Sequence, residues 1–392
     1  MALPIKRGLT PSELASCPLL GSTLHRVSLL QISYIMLNVF HFLVIQPVKT
    51  HDDVVLYAIA SRDVTTARRY ARKHKFQRWY GSYEDLLADP LVDFVYISVP
   101  NSLHFEWAFK ALEAGKHVLL EKPFTSTSIE ASRLSAKAKE CGKIIMEAFH
   151  WRFHPAAHRL RQLLDSGELG AITKIDASMT SNVRKRSRNI RWEYDLSGGS
   201  LMDMSYVVNF SRYFLHAELP EEVVHAMATT SRSDPRIDVD MLASLRFKRP
   251  GEDNTDVYST VYSSLVTTYK HRFIPRFWDL PSITIETEKG VFFFYNVTRP
   301  HLYHYIGIKD NSTGKWRYEK VYAGGPLWKD RGNKHWSTYR YQLEAFVDKL
   351  RGRDPVCWVD NEDSVAQMKT IDDIYIKSGL PVRPTNSLAT DI

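Results

Sequence analysis

The chain has 392 residues, enough for two domains or one large one, and its 44% hydrophobic and 24% charged residues are an ordinary globular balance. The formal charge of +8 suits an anionic ligand but is mostly solvated surface at this length, and the densest basic cluster, Arg184 to Arg191, has no aromatic interleaving, which argues against nucleic acid. Cys17, Cys141 and Cys357 lie far apart with no CxxC, so neither a zinc site nor a disulfide framework is indicated, and a reducing, cytoplasmic compartment fits.

The first distinctive stretch is SLLQISYIMLNVFHFLV, Ser28 to Val44. Its dense part, Tyr34 to Ile45, is shorter than the roughly 20 apolar residues of a spanning helix and carries Asn38 and His41. It also lies too far from the start for a secretory leader. A membrane role is therefore not expected.

From Val54 the pattern becomes regular. VVLYAIA (Val54–Ala60) predicts a buried parallel strand, TTARRYARKHK a helix, YEDLLADP a short helix stopped by Pro90, and VDFVYISVP a second strand. Ser102 is placed to cap the next helix, whose Phe105, Ala108, Phe109 and Leu112 share one face and which Gly115 ends. HVLLEKP predicts a third strand. Thr127 with Glu130 forms a capping box for a helix running to Glu140, and KIIMEAF predicts a fourth strand.

Strands alternating with helices imply a parallel sheet with right-handed crossovers. After residue 150 one helix (PAAHRLRQLLDSG) precedes many alternating β-type runs, as half-buried antiparallel strands show. The expected fold class is therefore α/β plus α+β. A Rossmann-type domain over 46–150 follows an atypical segment over 1–45, and 151–392 forms a domain on an open, mainly antiparallel sheet.

The sharpest chemical signal is Glu121-Lys122-Pro123 at the C-terminal end of a predicted strand, where ligands of doubly wound sheets bind. A lysine there points into the cleft. His150, His154 and His158 have helical spacing, but Pro155 interrupts any shared face, and no metal site is expected.

Together, VPNSLH, GKHVLLEKPF, EAFHWRFHPAAHRLRQLLDSGELG, NIRWEYDLSGGSLMDMSY and GVFFFYNVTRPHLYHYI resemble the glucose–fructose oxidoreductase and inositol dehydrogenase (Gfo/Idh/MocA) family from about residue 46 to about residue 380. Within it they resemble most the branch of dihydrodiol dehydrogenases and fungal NADP-dependent D-xylose dehydrogenases.

The resemblance implies that Lys122 is catalytic and that Pro100 and Asn101 lie near a nicotinamide, with His104 and Glu121 beside it. Asp203 matches the Asp of the family's second motif. The Tyr or His that the family has four positions later is missing, because Val207 stands there and Tyr206 one place earlier. One residue on a helix turns a side chain by about 100°. Either the turn is shifted and Tyr206 serves as acid/base, or that residue is lost.

The chemistry implied is oxidation of a sugar or diol hydroxyl, D-xylose to D-xylonolactone in type, with Lys122 lowering the pKa of Tyr206 and Asp203 orienting the substrate. Arg152 and His154 are expected to line the substrate pocket. At the end of the Val54–Ala60 strand, Ser61 and Arg62 indicate NADP, since an arginine there accommodates a 2′-phosphate. The family's pairing through the open sheet face implies a homodimer.

One element is missing. No glycine occurs between Gly21 and Gly81, so no glycine-rich phosphate turn precedes HDDVVLYAIASRD, although IQPVKTHDD reads as the tail of the helix such a turn would start. The expectation is that residues 1 to about 45 are not the ancestral N-terminus, as a misread exon or retained intron would produce. The rival is a non-catalytic relative that binds a nucleotide or partner with an impaired cofactor site.

Overall fold

The structure, a computed structural model, describes residues 25–31, 41–183, 189–249, 255–266, 269–270, 274–275 and 279–390. The N-terminal half begins with strand β1 (His25–Gln31), followed by a π-type turn over His41–Ile45 and the short helix α1 (Gln46–Lys49). Then come β2 (Val54–Ala60), α2 (Val64–His74), β3 (Arg78–Tyr80), α3 (Tyr83–Ala88), β4 (Phe94–Ser98), α4 (His104–Glu113), β5 (His117–Leu120), α5 (Ser128–Glu140) and β6 (Ile145–Glu147).

All six strands form one parallel sheet in the order β3-β2-β1-β4-β5-β6. This is the doubly wound arrangement, with its switch point between β1 and β4.

His25–Gln31 pairs with β2 on one side and β4 on the other, so part of the segment set apart as atypical is the central strand of the sheet. Val44, Ile45 and Val48 are core residues. Just after that segment, Arg351 Nη2 lies 3.0 Å from Asp53, and His51 Nε2 3.3 Å from Glu344, which tie the approach to β2 to a late helix and its end. The end of the apolar run is thus interior packing. Among the described residues no helix is long and apolar enough to cross a membrane. Residues 32–40, where a phosphate turn would be sought, lie outside the described residues.

Burial explains most of the local choices. Phe105, Ala108, Phe109 and Leu112 are all buried on one face of α4. Its start differs from expectation: a 3₁₀ turn over Asn101–Leu103 precedes it, and no side chain caps it, so Ser102 is not the cap. Thr127 does cap α5, accepting from the Glu130 amide. Glu130 does not complete the box by binding back to Thr127 alone. Its two oxygens accept from the amides of Ser126 (2.9 Å) and Asn386 (2.7 Å).

The second half starts with α6 (Pro155–Asp165) and β7 (Ile172–Thr180), then α7 (Ser200–Asp203) and α8 (Tyr206–Phe214). Strands β8 (Glu222–Ser231), β9 (Asp234–Lys248) and β10 (Asp256–Ser264) follow, and then a small ribbon of β11 (Tyr269–Lys270) and β12 (Ile274–Pro275). Next are β13 (Ser282–Thr287), β14 (Gly290–Tyr295), β15 (Tyr305–Asp310) and β16 (Trp316–Glu319). The chain ends with α9 (Gly325–Trp328), α10 (Thr338–Leu350) and α11 (Asn361–Lys377).

The large sheet has the order β16-β15-β14-β13-β7-β10-β9-β8 and is antiparallel except where β10 runs parallel to β7. Its strands alternate as an open sheet must: Ile283, Ile285, Phe292 and Phe294 are buried, while Thr284, Phe293 and Tyr295 face outward half-buried. Helix α8 packs on the inner face against β7 and β10, which brings the second domain's helix ends up to the C-terminal ends of β4 and β5.

Candidate active site

A cavity of about 240 Å³ opens where the two domains meet. From the parallel sheet it takes Ser98, Val99, Asn101, His104, Glu121 and Lys122, all at or just beyond the C-terminal ends of β4 and β5. The second domain contributes Arg191, Asp203, Tyr206 and Arg299, among others.

The EKP turn is held from behind. His104 is buried at the start of α4, with Nδ1 2.7 Å from the Pro123 carbonyl and Nε2 3.1 Å from that of Val99. Burial pushes its imidazole down to about 4, so the ring is neutral and donates from one nitrogen at a time. It thus sits between the two strand ends that border the cavity and hydrogen-bonds one of them. Asn101 crosses between the domains, its Nδ2 donating to the Ser197 carbonyl at 3.0 Å.

Lys122 Nζ donates to the backbone carbonyl of Asp203 and lies 3.6 Å from its Oδ1. On the other side, Arg191 Nε is 2.7 Å from Asp203 Oδ2. Burial alone would lift the Asp203 carboxyl, but the Arg191 guanidinium and the Lys122 ammonium outweigh it and hold the group below the usual range. The result is an ionised carboxylate between two cations, with the lysine aimed into the cavity.

The turn that presents Asp203 needs its glycines. A Cβ at Gly198 would stand 2.7 Å from the Arg191 carbonyl oxygen, and Gly199 has φ +123 with Asp238 and Arg383 pressed against it. Leu201 N and Ser200 Oγ both donate to Asp238 Oδ2, at 2.8 and 2.7 Å, which fixes the first turn of α7.

Helix α7 stops at Asp203. Met204 leaves helical geometry (φ −112, ψ 36), and α8 starts afresh at Tyr206. With that break, Tyr206 lines the cavity and Val207 does not. Its hydroxyl lies 3.0 Å from His150 Nε2. The Ser205 carbonyl at the break accepts from Gln367 Nε2 of α11 at 2.9 Å, a contact between positions remote in sequence.

Lys122 stands beside Tyr206 without bonding to its phenol oxygen. Its Nζ lies over the ring, 5.2 Å from the centroid, and its hydrogen bond goes to Asp203 rather than to the phenol oxygen. Burial first, then Tyr339, Glu121 and Asp203, push the phenol well above its ordinary value. Glu121 is itself raised by burial, offset in part by the hydroxyl of Tyr96 and by Lys122.

Other expected site residues fall elsewhere. Arg152 does not line the cavity. Its guanidinium pairs with Asp363 and covers the Tyr213 ring at 5.0 Å, as part of the packing of α11. His154 is fully buried at the N-cap of α6, where Nδ1 accepts the Ala156 amide at 3.2 Å. Both were assigned to the substrate because EAFHWRFHP borders the pocket in the family, and only His150 of that stretch reaches it. Among the described residues no cluster could hold a metal. Pro100 is buried behind Asn101. Ser61 is buried and Arg62 exposed, both beyond the end of β2 and outside the cavity.

Arg191, His150, Tyr339, Thr298 and Arg299 are lining residues that the sequence did not single out for this site. Arg191 closes the basic cluster Arg184 to Arg191, whose sequence shows no partner for it.

Comparison with known proteins places the chain in a family. Residues 40–149 match the model described as "Oxidoreductase family, NAD-binding Rossmann fold", and residues 157–293 match the GFO/IDH/MocA C-terminal domain. The chain is 32% identical over 324 residues to D-xylose 1-dehydrogenase (NADP(+)) 2 of Haloferax volcanii, covering 81% of this chain and 88% of that protein. It is 31% identical over 214 residues to trans-1,2-dihydrobenzene-1,2-diol dehydrogenase of Xenopus tropicalis, a match spanning 54% of this chain and 63% of that one. A 3-ketoreductase from Actinomadura kijaniata, crystallised with NADP and TDP-benzene, superposes with TM-score 0.75 at 25% identity over 91% of this chain and 98% of that chain. The chain therefore belongs to the Gfo/Idh/MocA family of nucleotide-binding oxidoreductases.

Proposed function

We propose that the protein is an NADP-dependent dehydrogenase that oxidises a hydroxyl of a sugar or dihydrodiol, of the D-xylose to D-xylonolactone type. The observation that carries this reading is the meeting of Lys122, Asp203 and Tyr206 on one cavity at the C-terminal strand ends. A cavity of this size is smaller than most drug-sized sites and suits a small polyol.

The residues present fit a dinucleotide at its two ends. Asn101, Glu121 and Lys122 stand where a nicotinamide ribose would be held, with Pro100 and His104 shaping the backbone behind them. Exposed Arg62, with Ser61, is suited to a 2′-phosphate. When bound, the nicotinamide would supply the hydride acceptor. The chain's own part is positional: the Lys122 ammonium donates to the reacting hydroxyl oxygen, Asp203, itself paired with Arg191, holds that ammonium in place, and the Tyr206 oxygen receives the hydroxyl proton.

Tryptophan fluorescence of the full chain titrated with NADP⁺ and NAD⁺ tests the reading. Saturable binding that is tighter for NADP⁺, together with turnover of D-xylose or a trans-dihydrodiol, supports it. Lys122→Ala is expected to lower kcat by about 10²–10⁴-fold. Undiminished turnover in that variant overturns the assignment of Lys122.

The half-buried and exposed aromatics Phe293, Tyr295, Tyr305 and Tyr318 on the outer sheet face support a homodimer, which sedimentation would read directly. The separate free thiols Cys141 and Cys357 suit a reducing cytoplasm.

A second reading rests on the absence of glycine between Gly21 and Gly81. In it the chain keeps the trio but binds no dinucleotide and acts through a partner. Folded protein that shows no response to NADP⁺ at any concentration would favour it.

A further inference from the structure

We propose that His150, Thr338 and His301 form a proton relay that takes the Tyr206 proton out of the reactive cavity. The proposal rests on the dehydrogenase reading above and explains how Tyr206 could act in it. A buried phenol pushed well above its ordinary value is not a phenolate at neutral pH. It can accept the substrate's proton only by handing on its own.

The hydrogen bonds provide that path. The Tyr206 hydroxyl is 3.0 Å from His150 Nε2, His150 Nδ1 is 2.8 Å from Thr338 Oγ1, and Thr338 Oγ1 is 3.4 Å from His301 Nδ1. His301 is partly exposed, and exposed Leu302 and Tyr303 follow it.

The direction is fixed by a group with no choice. The backbone amide of Thr338 can only donate, and it donates to His301 Nδ1 at 3.3 Å. That nitrogen therefore carries no proton, so in the 3.4 Å contact with it the Thr338 hydroxyl is the donor, sharing the one lone pair with the amide. Thr338 Oγ1 then accepts from His150 Nδ1–H, which leaves His150 Nε2 bare to accept from Tyr206. Every donor points away from the cavity.

The groups facing His150 keep it neutral. Tyr206 approaches from α8, Lys122 from the EKP turn, Arg299 and His301 from the loop after β14, and Tyr339 of α10 packs on its ring with centroids 4.0 Å apart. Burial, then His301, Lys122 and Arg299, hold its imidazole well below the ordinary value, and burial with Arg299 holds His301 down to about 4. A neutral imidazole takes a proton at one nitrogen while releasing one at the other.

The step balances. The carbinol C–H electron pair leaves as hydride to an oxidised nicotinamide, and the O–H pair becomes the second bond of the carbonyl. The hydroxyl proton goes to the Tyr206 oxygen, the Tyr206 proton to His150 Nε2, the Nδ1 proton to Thr338 Oγ1, the threonine proton to His301 Nδ1, and the His301 Nε2 proton to water. One proton leaves for each hydride.

His158, by contrast, is a packing histidine. Its Nε2 meets the Arg152 carbonyl at 2.7 Å, outside the cavity, and among the described residues its Nδ1 has no hydrogen-bond partner.

The test uses Thr338→Val, which removes the hydroxyl at nearly constant volume, beside Thr338→Ser, which keeps it. Thr338→Val should lower kcat by about tenfold or more with KM little changed, and Thr338→Ser should restore it. His301→Ala should lose kcat and regain it when imidazole is added. A Thr338→Val enzyme with unchanged kcat and pH profile overturns the relay. Long-range nitrogen–proton NMR of the full chain gives a readout independent of turnover. His150 protonated on Nδ1 and His301 on Nε2 supports the relay, and the opposite tautomers overturn it. A chain that binds no NADP⁺ and oxidises no sugar or diol would sink the dehydrogenase reading, and the tautomers alone would then decide whether the one-way hydrogen-bond chain exists.

Discussion

Asp203 faces cations on both sides, Arg191 at 2.7 Å and Lys122 at 3.6 Å. Asp203→Asn keeps the shape and removes the charge, so both cations lose their counter-charge while Lys122 keeps its bond to the backbone carbonyl. We expect kcat/KM to fall by about 10²-fold or more in steady-state kinetics, with the fold intact by circular dichroism.

Glu147 shows the opposite environment. It is fully buried at the end of β6, and burial pushes its carboxyl up to about 8. A carboxyl raised in the folded state favours folding fully below its unfolded value near 4.5, and the advantage is lost as pH rises toward 8. Glu147→Gln should therefore match the wild type near pH 5 and exceed it near pH 8.5 by a few kcal/mol, about 1.4 kcal/mol for each pKa unit, in urea unfolding at the two pH values. Equal gaps at both values would show that Glu147 ionises freely.

Lys122 and Asp203 could be read from sequence because each sits inside a local motif. Arg191 could not. It follows a basic run, and only the folded turn shows that its partner is Asp203 rather than water.

At the scale of elements, the SGGS turn and the break after α7 decide where the chemistry sits. Gly199→Ala places a side chain at φ +123 against Asp238 and Arg383. The backbone strain and overpacking together should cost about 2–5 kcal/mol, visible as a lower urea midpoint. Gly142 makes a control: its φ is also positive, at +61, but nothing lies within 4 Å of an added Cβ, so Gly142→Ala should cost only about 1–2 kcal/mol.

Alternation and apolar faces made β2, β4, β5, β6 and α4 legible. The central strand β1 was hidden because its apolar residues continue into a longer apolar run, which blurs the boundary that turns normally mark. The break between Met204 and Tyr206 was equally hidden. Nothing local dictates it, and the Ser205 carbonyl at the break accepts from Gln367 of α11 as well as from the Asn209 amide.

Across the whole molecule, the C-terminal segment fastens one domain to the other. Arg383 Nε donates to the Gly198 carbonyl at 2.7 Å, its Nη2 pairs with Asp238, and the Tyr375 hydroxyl joins both. Three residues on, the Asn386 amide donates to Glu130 of the Rossmann-type domain, and Thr385 Oγ1 meets Thr127 Oγ1 at 3.3 Å. The same segment therefore grips the turn that presents Asp203 and the helix behind the EKP turn. Two domains were legible in the sequence, but this fastening was not, since Arg383 and Asp238 are 145 positions apart and each alone reads as an exposed charge.

Arg383 and Asp238 are both fully buried, so removing one leaves the other unpaired in the interior. Arg383→Met should cost about 3–5 kcal/mol in urea unfolding and lower kcat as the turn loosens. Adding Asp238→Asn, which removes the stranded charge yet can still accept from Leu201 N and Ser200 Oγ, should recover part of the stability. The fastening of Gly198 would stay lost, so kcat should not return with it. Stability and kcat returning together would show that the pair only fills the interior and does not hold the catalytic turn.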